Sequence, residues 1–195
     1  MTSRVYLAMI AAIGAFLSLA PAADGQVFTP SYMAPRTAGD VGVYLSDGPG
    51  DFAIEGIWRT RQGRYDLGLR AGIADTYEMG ILVGGELRYP ISTNSPIDLA
   101  LTGAAQGLII LDGDSGVGFG GGVTLGHTFD GGEISVTPYL HPRIAIVSGF
   151  GPDDVDLDLL ADFGLDVRLS PSFDVRLGFG FGDWTADWGV GLAWR

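Results

Sequence analysis

From Gly39 to Arg195 the hydrophobic pattern has a period of two, and nothing else in the chain constrains its fold as much. Between Val155 and Leu169, the residues Val155, Leu157, Leu159, Ala161, Phe163, Leu165, Val167 and Leu169 alternate with Asp156, Asp158, Leu160, Asp162, Gly164, Asp166 and Arg168. One face carries no charge and the other carries five. Side chains of a strand point alternately to opposite sides of a sheet, whereas the helical repeat of about 3.6 residues would smear this alternation around the helix. The stretch 173–181 sets Phe173, Val175, Leu177, Phe179 and Phe181 against Asp174, Arg176, Gly178 and Gly180. In 65–74, Tyr65, Leu67, Leu69, Ala71 and Ile73 oppose Asp66, Gly68, Arg70 and Gly72.

Extended along the chain, the template predicts ten strands, at about 40–46, 51–60, 64–74, 79–89, 97–110, 116–129, 133–147, 155–169, 173–181 and 187–194. The connections alternate in kind. One set, such as Ser46-Asp47-Gly48-Pro49-Gly50 and Leu111-Asp112-Gly113-Asp114-Ser115, is acidic; the other, such as Arg61-Gln62-Gly63 and Ser170-Pro171-Ser172, is short, turn-like and flanked by arginine. An antiparallel up-and-down β-barrel collects each set at its own end. Eight strands with irregular ends is the topological variant.

The N-terminus reads as an address. Residues 1–22 combine Arg4, an apolar run from Val5 to Ala20 and the small-residue pattern Ala20-Pro21-Ala22, the layout of a signal peptide cleaved before Ala23. Residues 23–38 hold two prolines and no periodicity, and form an irregular leader, either loose or packed against the barrel at 39–195. The absence of cysteine excludes a disulfide scaffold, a thiolate metal site and a thiol nucleophile. A net charge of −12 opposes neutralisation of phosphates, so nucleic acid is not expected as a partner.

Alternation alone leaves open which way the apolar face points. A soluble barrel turns it inward, and a membrane barrel turns it outward. Glycine decides for the outward arrangement: Gly116, Gly118, Gly120, Gly122 and Gly126, then Gly178, Gly180, Gly189 and Gly191, crowd the charged face. A solvated face gains nothing from glycine, while a narrow lumen has little volume to spare. The aromatics Trp58, Tyr65, Tyr89, Phe129, Phe173 and Trp194 lie on the apolar face near the short turns, where an interfacial girdle belongs.

On the dyad repeat, the alternating connections and the ending Trp188-Gly189-Val190-Gly191-Leu192-Ala193-Trp194-Arg195, residues 39–195 resemble the small outer-membrane β-barrel proteins of Gram-negative bacteria. In that family the last strand alternates apolar residues and ends in an aromatic read by the barrel-assembly machinery. Trp188, Val190, Leu192 and Trp194 match, and Arg195 departs by one added residue. The resemblance implies an outer-membrane location, a monomer, both termini in the periplasm, and lipid and lipopolysaccharide as surroundings.

The expected lumen-lining set is Glu55, Arg59, Asp66, Arg70, Glu86, Arg88, Asp98, His141, Arg143, Asp158, Asp162, Asp166, Arg168, Asp174 and Arg176. Such charges form a closed ion-pair core or line a narrow channel. Gly116-Val117-Gly118-Phe119-Gly120-Gly121 fits a dinucleotide fingerprint in letters only, since it continues as strand instead of opening a helix. Asp112-Gly113-Asp114 lacks the bidentate glutamate of a calcium loop, Val123 standing in its place. His127 falls on the outer register near the girdle, and His141 faces inward without the His-x-Ser element of barrel-borne lipid hydrolases. The expectation is a non-enzymatic barrel of structural, surface-interacting or narrow-pore role, with no cofactor and no metal. The alternatives are a soluble periplasmic barrel holding a lipid-like ligand, and an envelope-lipid hydrolase using His141.

Overall fold

The computed structural model describes residues 26–35, 39–149 and 155–195. The signal peptide expected at 1–22 lies outside these residues, as do 23–25 and 36–38 of the leader and 150–154 of one loop.

The strands are β1 (Asp40–Ser46), β2 (Phe52–Gln62), β3 (Tyr65–Asp75), β4 (Met79–Ile91), β5 (Asp98–Ile110), β6 (Gly116–Gly126), β7 (Phe129–Asp130), β8 (Ser135–Gly149), β9 (Val155–Ser170), β10 (Phe173–Phe181) and β11 (Trp188–Trp194). Every pairing is antiparallel between chain neighbours, β1 closes on β11 and β6 on β8. The result is a closed ten-stave barrel with β7 as a two-residue stub, and closure removes the unpaired edges an open sheet would leave. Gly63, at φ 63°, supplies the positive φ that the two-residue loop between β2 and β3 needs at its first position.

One expected strand is corrected. The stretch 116–129 is not continuous, because Pro138 stands opposite His127 and has no N–H to return to it. His127 N–H still donates to Pro138 O at 3.3 Å, and the ladder resumes at Phe129↔Val136.

The apolar face points outward. In β1 the odd residues Val41, Val43 and Leu45 are exposed while Asp40, Gly42, Tyr44 and Ser46 are buried. In β9, Leu157 and Leu159 are 72% and 71% exposed, whereas Arg176 of the neighbouring β10 is fully buried. This inverts the pattern of a water-soluble barrel.

The lumen is filled by the chain's own leader. Residues 26–35 are buried throughout and run down the axis from the acidic-loop end to the short-turn end. At the loop end the Val27 and Phe28 N–H groups donate to Trp184 O at 3.2 and 2.9 Å, Ala186 N–H donates to Phe28 O at 2.8 Å, and Phe28 bridges Thr185 in parallel. At the turn end Arg88 donates to Ala34 O, and Pro35 lies over Gly126. The leader is thus packed, not loose. Because it crosses the barrel before β1 begins, Gln26 lies at the loop end and Arg195 at the turn end, where its N–H meets Ser172 O at 3.1 Å. The barrel's own ends, Asp40 and Trp194, lie together at the turn end, and only the leader's Gln26 stands at the opposite one.

Candidate functional site: the plugged lumen

The wall is moulded to the plug by its glycines. A Cβ on Gly118 would strike the Phe28 ring, one on Gly189 would strike the Tyr32 hydroxyl, and one on Gly178 would stand 2.8 Å from Pro30 Cβ. Tyr32 itself takes φ 47°, a region that costs a non-glycine residue on the order of 1 kcal/mol, and its fully buried ring is held 4.4 Å from the Tyr44 ring. Val27 and Phe28 join Ala145, Val147 and Leu160 in one apolar cluster, with the Arg143 guanidinium 4.7 Å from the Phe28 ring centroid. Burying Val27, Phe28 and Met33 contributes on the order of 5–9 kcal/mol to seating the segment. The void beside Met33, Arg59, Glu86 and Arg88 is about 10 Å³, room for about one water.

Strand register assembles the charges. Asp66 faces Arg88, Asp40 faces Arg59, Asp166 faces Arg176 and Asp162 faces His141 across adjacent strands. Glycine opposite Glu55 and Glu86, at Gly72 and Gly68, leaves room for these longer side chains to turn toward the axis. A continuous network of alternating charge results. Glu55 is paired with Arg70, Arg70 lies 3.9 Å from Glu86, Glu86 is paired with Arg59, and Arg59 lies 3.6 Å from Asp40. Asp40 then meets Arg176 at 2.6 Å, and Arg176 reaches Asp166 at 3.4 Å and Asp174 at 3.6 Å. Tyr44 accepts from Arg176 at 2.7 Å and from Arg59 at 3.3 Å. Buried charges persist only when paired and hydrogen-bonded, and each guanidinium of this network has a carboxylate on the wall.

A second group gathers around His141. Its Nδ1 lies 2.8 Å from Ser31 Oγ and 3.2 Å from Asp162 Oδ2, and its Nε2 lies 2.7 Å from Thr102 Oγ1. Arg143 completes the group, 3.1 Å from Asp162 and 3.2 Å from the Thr185 hydroxyl. Thr102, His141 and Asp162 stand in hydroxyl, imidazole, carboxylate order, as nucleophilic catalysis requires. Catalysis would also need a place for the reacting carbon and donors for its oxyanion. The plug's Ser31 occupies the imidazole from the lumen side, and both ring nitrogens are held by fixed partners.

Most of the expected lumen set is where the register put it. Glu55, Arg59, Asp66, Arg70, Glu86, Arg88, Asp98, His141, Arg143, Asp162, Asp166, Asp174 and Arg176 are all buried. Asp158 and Arg168, the two remaining members, lie at opposite rims of the lumen. Asp158 is half-buried at the loop end, where its Oδ1 accepts the Leu159 N–H at 2.7 Å, and it takes no part in the ion-pair network. Arg168 sits at the turn-end rim, two residues before the end of β9, with its side chain 39% exposed and 3.3 Å from Asp174. Residues missed from sequence are Asp40, which shares the inward register of Gly42 and Tyr44, and the plug residues Thr29 and Ser31. Thr29 donates to Glu55 at 2.8 Å. Asp40 carried a readable signal; nothing periodic marked the plug.

The six aromatics expected as a girdle lie on the outer wall. Tyr65 and Tyr89 stack at 5.3 Å, Phe173 and Trp194 at 5.7 Å, and Phe129 packs against His127 at 4.6 Å. His127 is half-buried on the outer register, its Nδ1 2.6 Å from Pro96 O. Trp58 stands farther from its own turn than the others but shares their row, through Trp194↔Val41 and Val41↔Trp58. Above it, Gly85, Gly103 and Ala105 leave an open apolar depression of about 690 Å³ between Trp58, Leu69 and Leu87.

Fold and lumen together define the class: a closed, antiparallel ten-strand β-barrel with a polar, plugged interior. Comparison of the sequence with protein-family models finds no match, and comparison with curated proteins finds none either.

Proposed function

We propose that this chain is a non-enzymatic barrel of the Gram-negative outer membrane, closed at rest, with a structural and surface-interacting role. The observation that carries the reading is the exposed apolar wall. Leucine, valine and isoleucine project outward tier after tier on every long strand while charged side chains are buried within, an arrangement that is costly in water and suited to lipid. The girdle of Trp58, Tyr65, Tyr89, Phe129, Phe173 and Trp194 supports it by marking one interface. On this reading the short-turn end faces the periplasm and the acidic loops face outward, lipid and lipopolysaccharide surround the wall, the protein is a monomer, and the assembly machinery engages β11.

The soluble lipid-binding barrel needs an apolar interior, and this lumen is polar and occupied. The hydrolase reading keeps His141, but both of its ring nitrogens are taken, by Ser31 of the plug and Thr102 of the wall. The test is fractionation of cells expressing the full chain. Retention in the carbonate-resistant membrane fraction, with a heat-dependent shift in gel mobility, is expected; recovery in the soluble periplasmic fraction would overturn the proposal. Lipid A and phospholipid turnover unchanged by His141→Ala is the matching expectation against hydrolysis.

A further inference from the structure

We infer that the barrel wall by itself is a cation-preferring pore and that the segment Gln26–Pro35 is its stopper. The inference rests on the membrane reading above and goes beyond it by assigning a latent activity and the class of solute it admits.

Three observations carry it. First, the stopper contains no charged residue, and it meets the wall's charged groups through neutral ones: Thr29 at Glu55 and Arg70, Ser31 at His141, the Phe28 ring at Arg143, and carbonyls of Pro30, Ser31 and Ala34 at Arg70, Arg59 and Arg88. The wall's arginines already hold wall carboxylates, so withdrawing the segment breaks no ion pair. Second, the inward glycines are cut to the stopper's rings. The space under Phe28 and Tyr32 at Gly118, Gly178 and Gly189 becomes lumen once those side chains are gone, whereas no wall side chain fills it. Third, the buried wall charges are unequal among the described residues, with eight carboxylates against five guanidiniums. An emptied lumen lined this way attracts cations and repels anions.

The segment is held at the loop end by its backbone bonds to Trp184 and Ala186, and the ring of Tyr32 and the chain of Met33 do the blocking farther down. Thinning those two positions in the full-length protein therefore opens the path while leaving the anchor in place. The experiment reconstitutes wild type, Tyr32→Gly and the Tyr32→Gly/Met33→Gly pair in planar bilayers under a potassium chloride gradient. Each sample is first shown to fold by its heat-dependent gel shift. Expected are a silent wild type and conducting variants whose reversal potential moves toward that of potassium, with a potassium-to-chloride permeability ratio above one. Silent, folded variants would overturn the inference, and so would chloride preference. If Tyr32→Gly cannot fold, the stopper is not separable from the wall, which overturns it equally. Wild-type fractionation keeps the two claims apart: a silent variant of a membrane-embedded protein refutes the stopper alone, whereas a soluble wild type refutes the membrane reading beneath it.

Discussion

Replacing Phe28 with alanine tests whether the leader is seated in the lumen as described. The ring is 1% exposed, packs with Val27, Ala145, Val147 and Leu160, lies 4.7 Å from the Arg143 guanidinium, and presses on Gly118. Its removal should cost about 3–5 kcal/mol, from the lost transfer free energy, the cavity and the cation–π contact. That is roughly two to three and a half powers of ten in the unfolding equilibrium. The diagnostic step is Gly118→Leu. Alone it forces a side chain into the Phe28 ring and should cost about 1–3 kcal/mol or more by overpacking. Combined with Phe28→Ala, the leucine grows into the space the ring leaves. The double variant should then be at least about 2 kcal/mol more stable than the sum of the single losses. The assay is equilibrium urea unfolding in lipid vesicles, followed by tryptophan fluorescence, with Trp184 packed on the same cluster as local reporter. A Phe28→Ala loss under about 1 kcal/mol, or additivity within about 0.5 kcal/mol, would refute the seating of the plug.

Arg176→Leu should destabilise the barrel by about 3–5 kcal/mol, since it strands Asp166 in the lumen and takes from Asp40 its 2.6 Å partner, and urea midpoints against wild type measure it. Because the chain lacks cysteine, single cysteines report orientation: at Val43, Leu69 or Ile144 they should react with a lipid-soluble maleimide, and at Tyr44 or Ala145 with none, in the folded protein. At the loop end, burial and the neighbouring Asp187 raise the Asp47 carboxyl, against the pull of the Trp188 N–H, and burial raises Asp187. A carboxyl raised by folding favours the fold fully only below its ordinary value, and the contribution is lost as pH climbs through the raised value. Wild type should therefore gain stability relative to Asp47→Asn/Asp187→Asn as pH falls from about 7 to about 4, read as the difference between their urea midpoints.

Much of the barrel was legible because strand geometry writes itself into sequence with a period of two. Ten strands, their ends to within a few residues, and the inward placement of Arg59, Arg70, Asp162 or Arg176 all follow from parity. What parity cannot express is who stands opposite whom. The break at His127 depends on Pro138 lying across from it, and the pairing of rim residue Arg168 with Asp174 depends on the register of β9 against β10. The imidazole of His141 between Thr102, Asp162 and the leader's Ser31 joins four separate parts of the chain, so no local pattern announces it.

The glycines show where the division falls. By itself the sequence determined that they share a face with the charges, because alternation is a local property of an extended chain, and their crowding on that face pointed it inward. Only the tertiary structure decided why so many are needed. Closing ten strands leaves a lumen narrow enough that one extended segment fills it, and Gly118, Gly178 and Gly189 are the places where that segment's rings and proline meet the wall. Residues 26–35 have no period because they pair with no sheet along their length; they are ordered by what surrounds them, and that is settled only once the barrel closes.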